Sequence, residues 1–283
     1  MKILVFGKTG QVACELQRAA DVVALGRDEV ELTDAEACRR AVEHHAPDAV
    51  INAAAYTPVD RAEDEEAVAH QVNADAPAAM AQACAALDIP FVTISTDYVF
   101  DGQGDDPWSP HDAPAPVGAY GRTKLAGETA VCAAHGRFAI LRTSWVFSAH
   151  GNNFVKTMLR LGRDRDVLTI VGDQIGGPTA AADIAVACLK IAKDLAENKT
   201  KVGSYHFSGT PDVSWADFAI EIFKQAKVEC MVTPIPSSDY PTPAKRPANS
   251  RMDCTTTTRT FEIARPDWRV SLTDVLNELE LEI

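Results

Sequence analysis

Short apolar runs alternate with helix-like segments from residue 2 to residue 142, and no other feature limits the fold of this chain more. Lys2 to Phe6 is a β-branched apolar run that stops at Gly7. Gln11 to Ala20 reads as helix and Val22 to Leu25 as a second strand. Thr33-Asp34-Ala35-Glu36 has the form of a capping box with Thr33 as the cap, opening a helix that runs to about His45. Ala49-Val50-Ile51-Asn52-Ala53-Ala54 is uniformly apolar rather than alternating, as expected of a strand covered on both faces. Asn73 to Leu87 is helix, Pro90 to Ser95 strand, Ala119 to Ala134 helix, and Phe138 to Arg142 a fifth strand. Strands separated by helices of this length make a parallel, doubly wound α/β sheet.

After Trp145 the rhythm becomes irregular. Phe154 to Arg163 reads as an amphipathic helix, Val167 to Val171 as a strand, Ala180 to Leu195 as a helix and Tyr205 to Phe207 as a short strand. Ser214 caps a helix at Trp215 to Ala226, Val232 to Pro247 reads as an ordered proline-rich loop, and a last helix follows a cap at Ser271. The expected division is a dinucleotide-binding domain over 1–145, continued by about 166–202. A smaller, interleaved C-terminal substrate lobe takes 146–165 and about 203–283.

The formal net charge of -13 argues against partners held by a phosphate backbone or an anionic membrane surface, so neither nucleic acid nor membrane is expected. The seven cysteines form no Cys-x-x-Cys pair, which suggests neither a disulfide framework nor a zinc knuckle and fits a reducing cytoplasm. Met1 leads straight into an apolar strand, with no leader-like or membrane-spanning run.

Gly7-Lys8-Thr9-Gly10-Gln11-Val12-Ala13 lies between the first strand and the first helix. Glycines so spaced let backbone amides approach a pyrophosphate, which then sits at the positive end of the helix. The second strand ends in Leu25-Gly26-Arg27, without the acid that would hold both ribose hydroxyls of NAD. Arg27 is suited to a 2′-phosphate, which favours NADPH, with NADH open; Glu31 and Leu32, a little further on, join the candidate cofactor residues. Ala53, Ala54 and Ala55 end the third strand with small side chains against which a cofactor can lie.

Tyr120 and Lys124 stand four apart on one helix face, downstream of Ser95-Thr96-Asp97-Tyr98. A cationic neighbour favours phenolate and should lower the tyrosine from its usual value of about 10. Such a tyrosine exchanges a proton with a carbonyl or alcohol oxygen.

These segments together resemble the extended short-chain dehydrogenase/reductase superfamily, and within it the dTDP-4-dehydrorhamnose reductase family. The resemblance runs through Gly7-Lys8-Thr9-Gly10-Gln11, Asn52 to Asp60, Ser95 to Phe100, Tyr120 to Glu128, Arg142 to Phe147, Gly151 to Phe154, Asp173 to Thr179 and Arg246 to Ser250. It implies a Rossmann-type fold and NAD(P)H-dependent reduction of the 4-keto group of dTDP-6-deoxy-L-lyxo-4-hexulose to dTDP-L-rhamnose. By the same resemblance Tyr120 is the acid, Lys124 holds the ribose and keeps the tyrosine acidic, and Thr96 polarises the carbonyl. Tyr120 and Lys124 thus also join the cofactor-binding set. Thr57, Val59, Thr96, Asp97, Tyr98 and Trp145 are implied for the sugar side, and Asn153 and Arg246 for the dTDP end.

Some relatives of this kind are dimers bridged by magnesium through glutamates. Glu15 and Glu278 stand at matching positions, but Ala182 occupies the third, and a hard cation wants several oxygen ligands. No metal is therefore expected, and a homodimer stays open. Two other readings share the pattern: a non-catalytic regulatory subunit like that of methionine adenosyltransferase, and a reductase or epimerase of another nucleotide sugar. The intact Thr96, Tyr120, Lys124 and Trp145 set argues for retained chemistry.

Overall fold

The computed structural model describes residues 1–281. Its centre is a six-stranded parallel sheet built from β1 (Ile3–Phe6), β2 (Val22–Leu25), β3 (Ala49–Asn52), β4 (Pro90–Thr96), β5 (Arg137–Thr143) and a sixth strand, Gly203–His206. The order is β2-β1-β3-β4-β5 followed by the sixth strand, so the winding direction reverses between β1 and β3. A reversal of this kind opens a crevice beyond the carboxyl ends of the two strands. Both faces are covered. Along β1, Ile3 and Val5 point into one core with helix α1 (Gln11–Ala19) and the Ala181–Glu197 helix. Leu4 and Phe6 point into the other, with helix α2 (Ala35–His45) and the Ala76–Ala86 helix. The strict alternation of strand side chains produces the two layers.

A second, smaller assembly stands over the carboxyl end of the sheet. Val167–Val171 pairs in parallel with Met231–Ile235, and Ile175–Gly176 lies between Val213–Ser214 and Asn249–Ser250. Its own core joins Phe147, Phe218, Phe223, Trp268 and Leu272. The expected division differs here at two strands. Val167–Val171 belongs to this smaller assembly, whereas Gly203–His206 closes the edge of the main sheet against β5.

Several local expectations are corrected. Asp34, not Thr33, caps α2, its carboxylate accepting from the Ala37 amide at 2.9 Å. The helix expected from Asn73 starts at Glu66 and passes through a π-helical turn at Gln71–Asp75. Met231–Ile235 is a strand where a loop was expected. Pro234 is tolerated because the pair has only two strands, both edges, where a missing amide breaks no interior ladder. The last helix begins at Trp268, and Ser271 lies inside it, donating to Asp183 at 2.7 Å. The Ser214 cap is a full capping box with Asp217.

Candidate active site

The crevice at the β1–β3 reversal is lined first by the glycine turn. Gly7 has φ +110, a conformation open to glycine, and an added Cβ would stand 3.3 Å from the Ala53 carbonyl carbon. Gly10 caps α1 without any side-chain cap, and nothing lies within 4 Å of where its Cβ would be. The amides of Gln11, Val12 and Ala13, in the first turn of that helix, have no intrahelical acceptor. Val12 buries its side chain in the core and offers only its backbone, while Thr9 is exposed beside it. These features fit a dinucleotide diphosphate.

Arg27 is exposed at the end of β2 and has no side-chain hydrogen bond or ion pair among the described residues. Glu31 is exposed as well, whereas Leu32 packs against the core. Ala53, Ala54 and Ala55 run half-buried from the end of β3, with the Ala53 amide donating to the Phe6 carbonyl at 2.9 Å.

The helix Ala119–Ala133 carries Tyr120 and Lys124 and packs against the end of β4. Gly121 is required where it crosses the chain after β4, because a Cβ there would fall 2.2 Å from the Tyr98 carbonyl oxygen. Tyr120 packs edge-on against Tyr98, with ring centroids 5.5 Å apart. Lys124 is buried and donates to the Ile94 carbonyl at 2.7 Å. Thr96, the last residue of β4, donates to Asp97 at 3.0 Å and accepts from the Tyr98 amide at 3.2 Å.

The electrostatics differ from the sequence expectation. Burial pushes Tyr120 up to about 12, the Asp97 carboxylate adds to the rise, and a hydrogen bond with Thr96 opposes it. Lys124 is itself lowered to about 8 by burial, partly opposed by Glu128. Without ligand, then, Tyr120 is held as the neutral phenol, the form that donates a proton. Burial also raises the Asp97 carboxyl to about 6. Its Oδ2 is buried without a hydrogen-bond partner.

The remaining candidates divide. Trp145 has φ +50 and lies half-buried just past β5. Thr57 and Val59 follow the Ala53–Ala55 segment, and Arg246 reaches across to it, donating to both Asp60 oxygens at 3.1 and 2.9 Å. Asn153 is engaged as the cap of the Phe154–Asp164 helix and donates to the Gln11 side chain at 2.9 Å, tying the glycine turn to the smaller assembly.

Three contributors escaped sequence reasoning. Glu63 accepts the Ala119 amide at 2.9 Å and so caps the Tyr120 helix from another segment. Asn73, from the π turn, accepts from the Tyr56 amide at 2.8 Å and donates to Thr123 at 3.1 Å. Trp215 packs against Trp145. In the sequence Asn73 and Trp215 stand only as helix starts, and Glu63 falls outside every segment that carries the resemblance.

Glu15 and Glu278 do approach each other, but Arg18 sits between them. Its Nη1 donates to both Glu278 oxygens at 2.7 Å and lies 3.5 Å from Glu15. Ala182 supplies no ligand, and a guanidinium in that seat does not fit a bridging magnesium ion. Among the described residues no helix is long and apolar enough to cross a membrane.

A reversal-point dinucleotide cradle beside a Thr–Tyr–Lys set defines a class: a Rossmann-type oxidoreductase of the short-chain dehydrogenase/reductase kind. Within that class the chain belongs to the family described as RmlD substrate binding domain, whose model matches residues 1–281. It is 42% identical over 296 residues to the dTDP-4-dehydrorhamnose reductase of Sinorhizobium fredii (strain NBRC 101917 / NGR234), covering 100% of this chain and 99% of that one. Among solved structures it is similar to a dTDP-4-dehydrorhamnose reductase of Clostridium acetobutylicum ATCC 824, with TM-score 0.93 and 36% identity over 99% of this chain and 100% of that chain. It is also similar to that of Bacillus anthracis str. Ames in complex with NADP, with TM-score 0.89 and 34% identity over 98% and 99% of the two chains.

Proposed function

We propose that this chain reduces the 4-keto group of dTDP-6-deoxy-L-lyxo-4-hexulose, giving dTDP-L-rhamnose, with NADPH as reductant. The observation that carries the reading is the near-full-length match to reductases of that name, 42% identical over 296 residues. The Thr96, Tyr120 and Lys124 set supports it.

When bound, the nicotinamide supplies a hydride to carbon 4 of the sugar. In this reading Tyr120 gives its phenolic proton to oxygen 4 and is reprotonated from solvent, so ketone, hydride and proton balance to a secondary alcohol. Thr96 offers its hydroxyl to the same oxygen, and Lys124 bonds the ribose. The amides of the glycine turn hold the diphosphate, Arg27 the 2′-phosphate, and Ala53 to Ala55 the flank of the cofactor. Asp97, Tyr98 and Trp145 enclose the sugar with Thr57 and Val59, and Arg246 faces the dTDP end. In this reading the main sheet holds the cofactor and one wall of the sugar site, and the smaller assembly adds Trp145 and Arg246 to the substrate side. A cytoplasmic setting belongs to the same reading.

The test is NADPH oxidation dependent on the 4-keto sugar, repeated with Tyr120→Phe. Wild type should turn over, and the variant should lose roughly 100- to 10,000-fold in kcat while binding NADPH as before. Undiminished turnover by Tyr120→Phe removes the catalytic assignment. A wild type inert toward this sugar turns attention to another nucleotide sugar or to a regulatory role.

A further inference from the structure

Behind the proton-handling pair lies a buried ionic cluster that the chemistry itself does not use. Glu128 is two turns past Tyr120 and one past Lys124, so the three share one stripe of the helix. The sheet register sets Ser95 on β4 beside Arg142 on β5, and both reach Glu128. Ser95 Oγ donates to Glu128 Oε1 at 2.5 Å. Arg142 Nε donates to the same oxygen at 2.9 Å and Nη2 to Oε2 at 2.6 Å, a bidentate pair. Glu128 and Arg142 are each 5% exposed or less. The guanidinium is held from behind by Phe100, whose ring centroid is 5.1 Å from Cζ, and donates to the Pro110 carbonyl at 3.3 Å.

We propose that Glu128, clamped between Ser95 and Arg142, is a positioning residue that fixes the rotation of the Tyr120 helix on β4 and β5. The proposal rests on reading Tyr120 and Lys124 as the proton-handling pair. Helix geometry supplies the lever. Glu128 and Tyr120 are about 12 Å apart along the axis, and a turn of about 10° moves a phenol oxygen on the order of 1 Å. A displacement of that size costs up to roughly 100-fold in rate. A single hydrogen bond to water would leave the rotation loose, whereas a fork–fork ion pair has one geometry. The clamp also places a carboxylate near Lys124, where Glu128 is the charged group that acts on the ammonium and favours it against burial.

A purely structural role must be separated from positioning, because removing one partner leaves the other charge buried and strains the fold. Replacing both by apolar residues of similar volume avoids that penalty. The experiment therefore compares wild type, Ser95→Ala, Glu128→Gln and the double variant Glu128→Leu/Arg142→Met. It reads thermal stability, kcat and KM, together with the Lys124 titration followed by NMR in the ligand-free protein. The double variant should fold with wild-type stability yet lose roughly 10- to 100-fold in kcat, with KM within about twofold. Ser95→Ala, which removes one donor and endangers the fold least, should lose roughly 3- to 10-fold in kcat. In Glu128→Gln, Lys124 should titrate at lower pH than in wild type. Wild-type kcat in the stable double variant, or in Ser95→Ala, overturns the proposal. If wild type itself proves inert, the functional reading fails separately. The Lys124 titration then decides: a downward move in Glu128→Gln upholds the clamp, and no move overturns it.

Discussion

Trp145 lies face to face on Trp215, with ring centroids 3.6 Å apart and planes 9° from parallel. Phe154 backs Trp215 at 4.6 Å, so Trp145, proposed to enclose the sugar, ends a run of three aromatic rings. The backbone at Trp145 is left-handed, a conformation that costs a bulky residue roughly 1–3 kcal/mol and persists only where the surroundings hold it.

Removing the support should therefore act on the sugar and not on the cofactor. An aromatic pair of this kind contributes about 0.5–1.5 kcal/mol beyond area burial, so Trp215→Ala should raise KM for the sugar roughly 2- to 10-fold. Isothermal titration with NADPH should give the wild-type Kd. An unchanged KM for the sugar would remove Trp215 from the site.

The pH profile should be set by Lys124. Its pKa of about 8 lies below the ordinary 10.5, so the ammonium is present below pH 8 and lost as pH rises through it. Tyr120, at about 12, stays protonated throughout this range. Initial rates from pH 6.5 to 9.5 should show kcat/KM falling above about 8, and Lys124→Met should abolish that limb along with most of the activity. A limb that survives the substitution belongs to another group.

Asp97 makes a stability prediction of definite sign. Its folded pKa of about 6 exceeds the ordinary 3.8, so between these values the folded chain binds more protons than the unfolded one. Stability then falls as pH rises from about 4 to 6, by on the order of 3 kcal/mol. Asp97→Asn should erase this slope and be the more stable protein at pH 7 by a similar amount. Urea melts at pH 4, 5, 6 and 7 measure it; parallel slopes for the two proteins would contradict the buried, unpartnered Oδ2.

Arg27 tests cofactor choice. Arg27→Ala should weaken NADPH binding roughly 10-fold, the scale of a charge-assisted hydrogen bond at an exposed site, and leave NADH within about twofold. Equal losses for both cofactors would mean that Arg27 does not meet the 2′-phosphate.

The nucleotide half of this molecule was legible because its signals are local. Apolar runs bounded by Gly7, Gly26 and Pro90 gave strands within a residue or two of those found, and Ser214 marked its helix to the residue. Asp34 was missed as a cap because a threonine precedes it, and both residue types accept from a first-turn amide. The strand Met231–Ile235 was hidden by Pro234, since nothing nearby in sequence says that its partner is Val167–Val171. The electrostatics were misjudged for a related reason. Four-residue spacing puts Lys124 and Tyr120 on one helix face, but how deeply each lies depends on strands from elsewhere, and burial is the largest influence on both. Glu63 and Trp215 carry no motif and become visible only when distant segments meet.

The ion pair of Arg246 with Asp60 spans 186 residues, whereas the Gly7, Leu25 and Ala53 contacts of the glycine turn fall within the first βαβ units. Closing the longer loop costs roughly 1 kcal/mol more chain entropy than closing the stretch from Phe6 to Ala53, about two doublings of length. The two ends of one cleft therefore differ in persistence. In native-state hydrogen exchange, the amide of Ala244, which donates to Asp60, should open at a lower free energy than that of Ala53, which donates to Phe6. The substrate end would be the first part of the cleft to come apart and the last to form, with the cofactor end intact beneath it.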